Sequence, residues 1–154
     1  MKISTIVIVL LVLLTLFLGG EFTKSGMEWY KTLNKPYINP PGTLISFVWL
    51  VLFTLIAICL IRVWNLKPRP TEFKSVIILF AVNGVLNMGW SYLFFSKQLM
   101  LTALFEMSLL WLTICALIYL IRRFSHLSAF LLIPYALWVL FAGYLNFELW
   151  RLNG

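Results

Sequence analysis

Five runs of mainly apolar residues organise this chain, each close to the length of about 20 residues that a helix needs to cross the hydrocarbon core of a bilayer. They cover Ile3 to Gly20, Thr43 to about Ile61, Ser75 to Phe95, Leu99 to Ile121 and Leu127 to about Trp150. With 62% hydrophobic and 11% charged residues and a mean hydropathy of +0.98, the chain has too few polar side chains to cover a water-soluble globule. Lipid tolerates no open sheet edge, because an unpaired backbone group there finds no water. The expected fold is therefore an all-α integral membrane protein, a five-transmembrane-helix bundle forming a single domain over residues 1–154. Lys2 gives the first run the look of a signal peptide. Its apolar core, however, exceeds the usual span of about 7 to 15 residues, and Leu18 spoils a small-x-small cleavage site ending at Gly20.

The connectors after the second, third and fourth runs are short, which makes those helices antiparallel neighbours. Residues 21–42 are different. The stretch NKPYINPPG, residues 34–42, holds Pro36, Pro40 and Pro41. Proline fixes φ, restricts the unfolded chain and has no N–H to leave unpaired at a helix start. This segment is expected to be a stiff lid loop over one end of the bundle.

The net charge of +7 does not indicate nucleic acid, because the basic residues are dispersed among helix ends instead of gathered in a stripe. Lys2, Arg62, Lys67, Arg69, Lys74, Arg122 and Arg123 fall on the N-terminal side of the membrane, and Lys24, Lys31, Lys35, Lys97 and Arg151 on the other. That bias places the N-terminus in the cytoplasm and the proline-rich segment outside, as expected for a protein of a cytoplasmic membrane. Cys59 and Cys115 sit within apolar runs, as buried small hydrophobes do, and lone His126 has no ligand partner at zinc spacing. No metal site and no resident cofactor are expected.

Alternate helices run in opposite directions at 1.5 Å per residue, so each residue acquires a depth. Trp49 lies roughly 9 Å into the second helix, Asn87 and Ser91 roughly 6 to 12 Å before the end of the third, and Glu106 roughly 10 Å into the fourth. Trp138, Tyr144 and Asn146 occupy the second half of the fifth. All of these belong to the half of the bundle beneath the proline-rich segment. Asn83, Asn87 and Ser91 follow i, i+4, i+8 on one face, while Tyr135, Trp138, Ala142 and Leu145 follow i, i+3, i+7, i+10 on another. Trp49 and Phe53 are an i, i+4 pair. Together they suggest an apolar cavity with a few polar groups, the usual composition of a small-molecule site.

Other readings of the same residues stand beside this one. Asn and Ser in membrane helices also simply bond neighbouring helices. Tryptophans anchor membrane interfaces, which suits Trp29, Trp64 and Trp150 better than the deeper Trp49 and Trp138. Glu106, the acidic residue well inside a spanning run, is either a paired structural group or a proton-handling one. No G-x-S-x-G, P-loop, H-E-x-x-H or hydrolase carboxylate pair is present, which disfavours hydrolysis and phosphoryl transfer.

WYKTLNKPYINPPG, then FVWLVLF, then NMGWSYLFF, then LLIPYALWVLFAGYLNFELWRLN, in this order and register, resemble the TspO/MBR family of tryptophan-rich sensory and translocator proteins, also called peripheral-type benzodiazepine receptors. The likeness runs from Trp29 to the C-terminus. It implies a five-helix bundle, a homodimer in the lipid membrane, and binding of tetrapyrroles such as protoporphyrin IX, of isoquinoline or benzodiazepine ligands, and of sterols. Carried over by position, the implied ligand-binding residues are Tyr30, Pro41, Trp49, Phe53, Asn87, Trp90, Ser91, Trp138, Ala142 and Leu145. The light- and oxygen-dependent breakdown of protoporphyrin IX described for some bacterial members would assign catalytic roles to Trp49 and Trp138.

The sequence departs from the family pattern at three places. Ile38 stands where the loop commonly has tryptophan, and Glu106 where relatives commonly have aspartate. Phe147 replaces the tyrosine of the C-terminal sterol motif, and Tyr144 is one residue too far from Arg151 to substitute, which weakens the expectation of sterol recognition. The leading functional expectation is a membrane receptor for metal-free porphyrin and similar flat ligands. A transporter or exporter using Glu106 for proton coupling, and a porphyrin-degrading enzyme, are the alternatives.

Overall fold

A computed structural model describes residues 2–154, with no strand among them. In chain order the helices are α1 (Ile3–Ser25), α2 (Met27–Thr32), α3 (Gly42–Asn65), α4 (Phe73–Ser91), α5 (Met100–Ile121), α6 (His126–Phe130) and α7 (Ile133–Asn153). Five spans are long and apolar enough to cross a membrane: α1, α3, α4 with its extension, α5, and α6 with α7.

α3 runs a turn beyond the expected end near Ile61, to Asn65, and three other boundaries differ from the sequence expectation, each for a local reason. The first helix does not stop at Gly20 but continues to Ser25, carried by Thr23, whose hydroxyl donates to the Gly19 carbonyl, and by the Glu21–Lys24 pair one turn apart. The connector expected over 21–42 is thus shorter, and it contains α2. The fifth span is broken after Phe130. Pro134 has no N–H to offer the Phe130 carbonyl, so α6 ends in a turn and α7 begins beside the proline. α4 ends in a π turn, Tyr92–Ser96, closed by the Lys97 amide on the Tyr92 carbonyl at 3.0 Å. Gln98 then takes φ 59°, the left-handed conformation that reverses the chain into α5.

The prolines act at the start of α3 as the sequence suggested. Pro41 is extended, with ψ 145°, and its carbonyl accepts from the amides of Leu44 and Ile45. Around the bundle α5 packs between α4 and α7, and α1 lies outside on α4 with contacts to α3. The core joins Leu52, Ile56 and Val63 of α3, Phe80 of α4, Leu110 and Ile114 of α5, and Val139 of α7. The outer faces are equally apolar, with Leu13, Phe17, Leu109, Leu137 and Leu140 exposed. Hydrocarbon, not water, is the solvent such a surface requires.

Polar ties gather at the end away from the proline-rich segment. Cys59 Sγ donates to the Ser128 carbonyl at 3.2 Å, Arg62 donates to Ser128 Oγ at 3.4 Å, and Lys2 reaches Asn65 at 3.1 Å. Cys59 is buried as expected, whereas Cys115 is only half-buried.

Candidate functional site

At the other end, α1, α3, α4 and α7 surround a cavity of about 410 Å³, capped by α2 and Asn39. That volume falls within the range of small-molecule sites, about 300 to 1,000 Å³. α5 contributes no described residue to its wall.

The α3 wall carries Trp49 and Phe53, one turn apart with rings 5.9 Å between centroids, and Trp49 meets Tyr135 edge-on at 6.3 Å. α4 supplies Asn87, Trp90 and Ser91, and α7 supplies Trp138, Ala142 and Leu145. Trp90 stacks on Phe94 at 5.4 Å, and its indole N–H donates to Asn146 Oδ1 at 3.0 Å. Asn146 in turn donates to the Met100 carbonyl at 2.9 Å, tying α7 to the start of α5. Trp138 lines the wall too, and its buried indole N–H has no acceptor within the described chain.

The polar stripe of α4 divides between the two roles considered for it. Asn83 faces away from the cavity: it donates to Thr113 Oγ1 at 2.9 Å and accepts from the Tyr135 hydroxyl at 3.1 Å. Asn87, one turn on, donates to Tyr135 Oη at 3.1 Å and also reaches the cavity, as does Ser91. Tyr135, expected on the aromatic face beside Trp138, is instead a buried hinge of this network, holding α7 to α4. A buried hydroxyl that both donates and accepts leaves neither amide unsatisfied.

The lid closes through polar contacts. Tyr30 donates its hydroxyl to Asn39 Oδ1 at 3.1 Å, and Lys35 sits 4.9 Å over the Tyr30 ring. Burial raises the Tyr30 hydroxyl above its ordinary pKa, while the bond to Asn39 acts in the opposite direction. The Asn34 backbone exchanges bonds of 2.8 and 2.9 Å with the Asn153 side chain at the end of α7.

Tyr30, Trp49, Phe53, Asn87, Trp90, Ser91, Trp138, Ala142 and Leu145 are thus brought to one cavity. Pro41 is not: it is exposed and stays outside, because its ring and carbonyl are used to start α3, and Asn39 and Gly42 line the cavity in its place. Glu106 is also outside, behind α4. A Cβ added at Gly89 would come 3.5 Å from its Oε1, and neither carboxylate oxygen finds a partner within the described chain. His126 lies exposed at the opposite end. The sequence reading missed the α1 wall of Thr15, Gly19 and Thr23, although these small residues recur every four positions.

The sequence pattern of the TspO/MBR family matches residues 6–151. The chain belongs to the TspO/MBR family. It is 39% identical over 138 residues to the tryptophan-rich protein TspO of Chlorobaculum tepidum, covering 89% of this chain and 87% of that protein. It is 34% identical over 156 residues to the tryptophan-rich protein TspO of Bacillus cereus, covering 99% of each, and 32% identical over 139 residues to the translocator protein of Bos taurus, covering 89% and 82%.

Membership of TspO/MBR together with the five apolar spans makes this an integral membrane protein. Within this TspO/MBR chain Ile38 is exposed and lies off the cavity wall. The lid obtains its aromatic contacts elsewhere: Tyr30 packs on Phe95 at 5.6 Å and Trp29 on Phe94 at 5.7 Å.

Proposed function

We propose that the cavity binds a flat, mainly apolar small molecule of the metal-free tetrapyrrole type, with protoporphyrin IX as the reference compound, and that the protein acts as a membrane receptor for it. The observation that carries this reading is the pairing of Trp49 on α3 with Trp138 on α7 as walls of one cavity whose other surfaces are mainly apolar. Indole faces hold a planar π-system, and a few polar groups orient it. Asn87 and Ser91 are such groups, and an acceptor on the ligand would satisfy the buried Trp138 N–H. No histidine lines the cavity, and among the described residues no cluster of three His, Cys, Asp or Glu side chains is placed to hold a metal. That composition favours the free-base ring over its iron complex. Relatives named tryptophan-rich sensory protein and translocator protein fit a receptor or carrier of small molecules.

Removing an indole that covers a planar ligand costs about 2 kcal/mol or more from lost apolar contact and ring geometry. Every 1.4 kcal/mol corresponds to about a tenfold change in affinity. Titration of the purified protein with protoporphyrin IX, followed by tryptophan fluorescence, should therefore show saturable quenching that weakens at least tenfold in Trp138→Ala and is unchanged in His126→Ala. Equal affinity in the two variants refutes the assignment of the cavity, and absence of saturable quenching in the unmodified protein refutes ligand binding.

A further inference from the structure

Among the described residues the cavity wall carries one charged side chain, Lys24, in the last turn of α1. It sits at the rim. Its side chain is 79% exposed, and it lines the cavity along with Thr23, Gly42 and Ser46, which belong to the end of α1 and the start of α3. The uncharged Trp49, Phe53, Asn87 and Trp138 form the part of the wall that lies deeper along the spans. The cavity thus has an apolar body and a cationic edge at the depth where the membrane meets water.

Lys24 is only loosely engaged within the protein. It bonds Glu21 at 3.3 Å, an exposed i, i+3 pair of the kind that contributes little in water. The other acids at this end are already matched, Glu28 by Lys31 at 2.7 Å and Glu148 by Arg151. Lys35 adds a further cation over the Tyr30 ring of the lid. The local field at the rim therefore favours an anion.

Resting on the ligand-binding reading above, we infer that Lys24 selects ligands that carry a carboxylate at one edge of an apolar ring system. The bound molecule is oriented like an amphiphile, its ring between the tryptophans and its acid group against the Lys24 ammonium. An exposed ion pair of this kind is worth about three- to fivefold in affinity.

The test compares protoporphyrin IX, a diacid, with its dimethyl ester on the full-length protein in low-salt detergent, for the unmodified chain, Lys24→Met and Lys24→Glu. Lys24→Met keeps the apolar stem and removes the charge. The unmodified protein should prefer the diacid by about three- to fivefold, a preference that shrinks with added salt. Lys24→Met should abolish the preference by weakening the diacid alone, and Lys24→Glu should reverse it. Unchanged ester affinity in both variants shows that the cavity is intact. A diacid-to-ester ratio that is the same in the unmodified protein and in Lys24→Met overturns the inference, as does a loss shared equally by both compounds. If neither compound gives saturable quenching with the unmodified protein, it is the binding reading that fails.

Discussion

Replacing Gly26 by alanine should damage the lid more than any other single-methyl addition in its neighbourhood. Gly26 is the buried residue between α1 and α2, with φ −109° and ψ 6°, a conformation open to alanine. The obstacle is space. A Cβ at this position would stand 2.1 Å from the carbonyl oxygen of Phe95, 2.5 Å from its carbonyl carbon and 2.7 Å from its Cα. Close carbon-to-oxygen approaches are normally about 3.3 Å, so roughly 1 Å of separation has to be opened. The facing atoms are backbone, in the π turn closed by Lys97 on Tyr92 and anchored by the buried rings of Phe94 and Phe95. Overpacking against atoms that cannot rotate away belongs at the upper part of its usual range, about 3 kcal/mol. That is about two factors of ten in the folding equilibrium. Relief by lifting α2 instead would separate Trp29 from Phe94 and withdraw Met27 and Tyr30 from the cavity. Unfolding in mixed micelles by added dodecyl sulfate, read by tryptophan fluorescence and paired with a protoporphyrin IX titration, detects both routes. Gly20→Ala is the control. Nothing lies within 4 Å of its added methyl, so it should gain about 0.5 to 1 kcal/mol from helix propensity alone. If Gly26→Ala matched the unmodified protein in both unfolding and binding, the reasoning would be refuted.

Two further outcomes follow from the polar network and the lid. Tyr135→Phe strands Asn83 Oδ1 and Asn87 Nδ2 in the core and should cost about 1 to 2 kcal/mol in the same unfolding assay, the lower part of the soluble-protein range because membrane helices find other partners; a neutral result would show that the hydroxyl does not join α7 to α4. Burial holds the proton on Tyr30 more tightly in the folded state than in the unfolded one, so its contribution is intact below pH about 10 and is lost as pH rises through the higher folded value. Tyr30→Phe should remove that alkaline loss from a stability-against-pH profile, and an identical alkaline limb in both proteins would contradict the assignment.

Features of the site differ in how far they were legible in the sequence. Trp49, Trp138 and Asn87 stood out because a tryptophan or an amide deep in a span is costly to place without a partner, and their depth follows from helix rise alone. Asn83 and Asn87 share one stripe, yet one serves a helix contact and the other reaches the cavity as well. Spacing could not separate them, since the division depends on where Tyr135 of α7 arrives. Pro41 was expected on the wall from the family resemblance, but the chain turns so that Asn39 and Gly42 line the cavity. α2 was taken as loop because six residues carry too little periodicity to declare a helix. It forms where Trp29 and Tyr30 find Phe94 and Phe95, contacts made across more than sixty residues of chain.

Hydropathy and length established on their own that the chain crosses a membrane five times, because hydrocarbon admits no other arrangement for such runs. Proline placement marked where α3 starts, because a missing N–H is a local fact, whereas the break of the last span beside Pro134 was seen only in the folded chain. Which faces meet, and hence where the cavity lies, came from the folded bundle. In lipid both sides of these helices are apolar, so burial does not choose between them. Close approach at Gly26, the Asn83–Tyr135–Asn87 bonds and the fit of aromatic rings make that choice. The same packing brings Lys24, an ordinary helix-end lysine in the sequence, to the rim of the cavity.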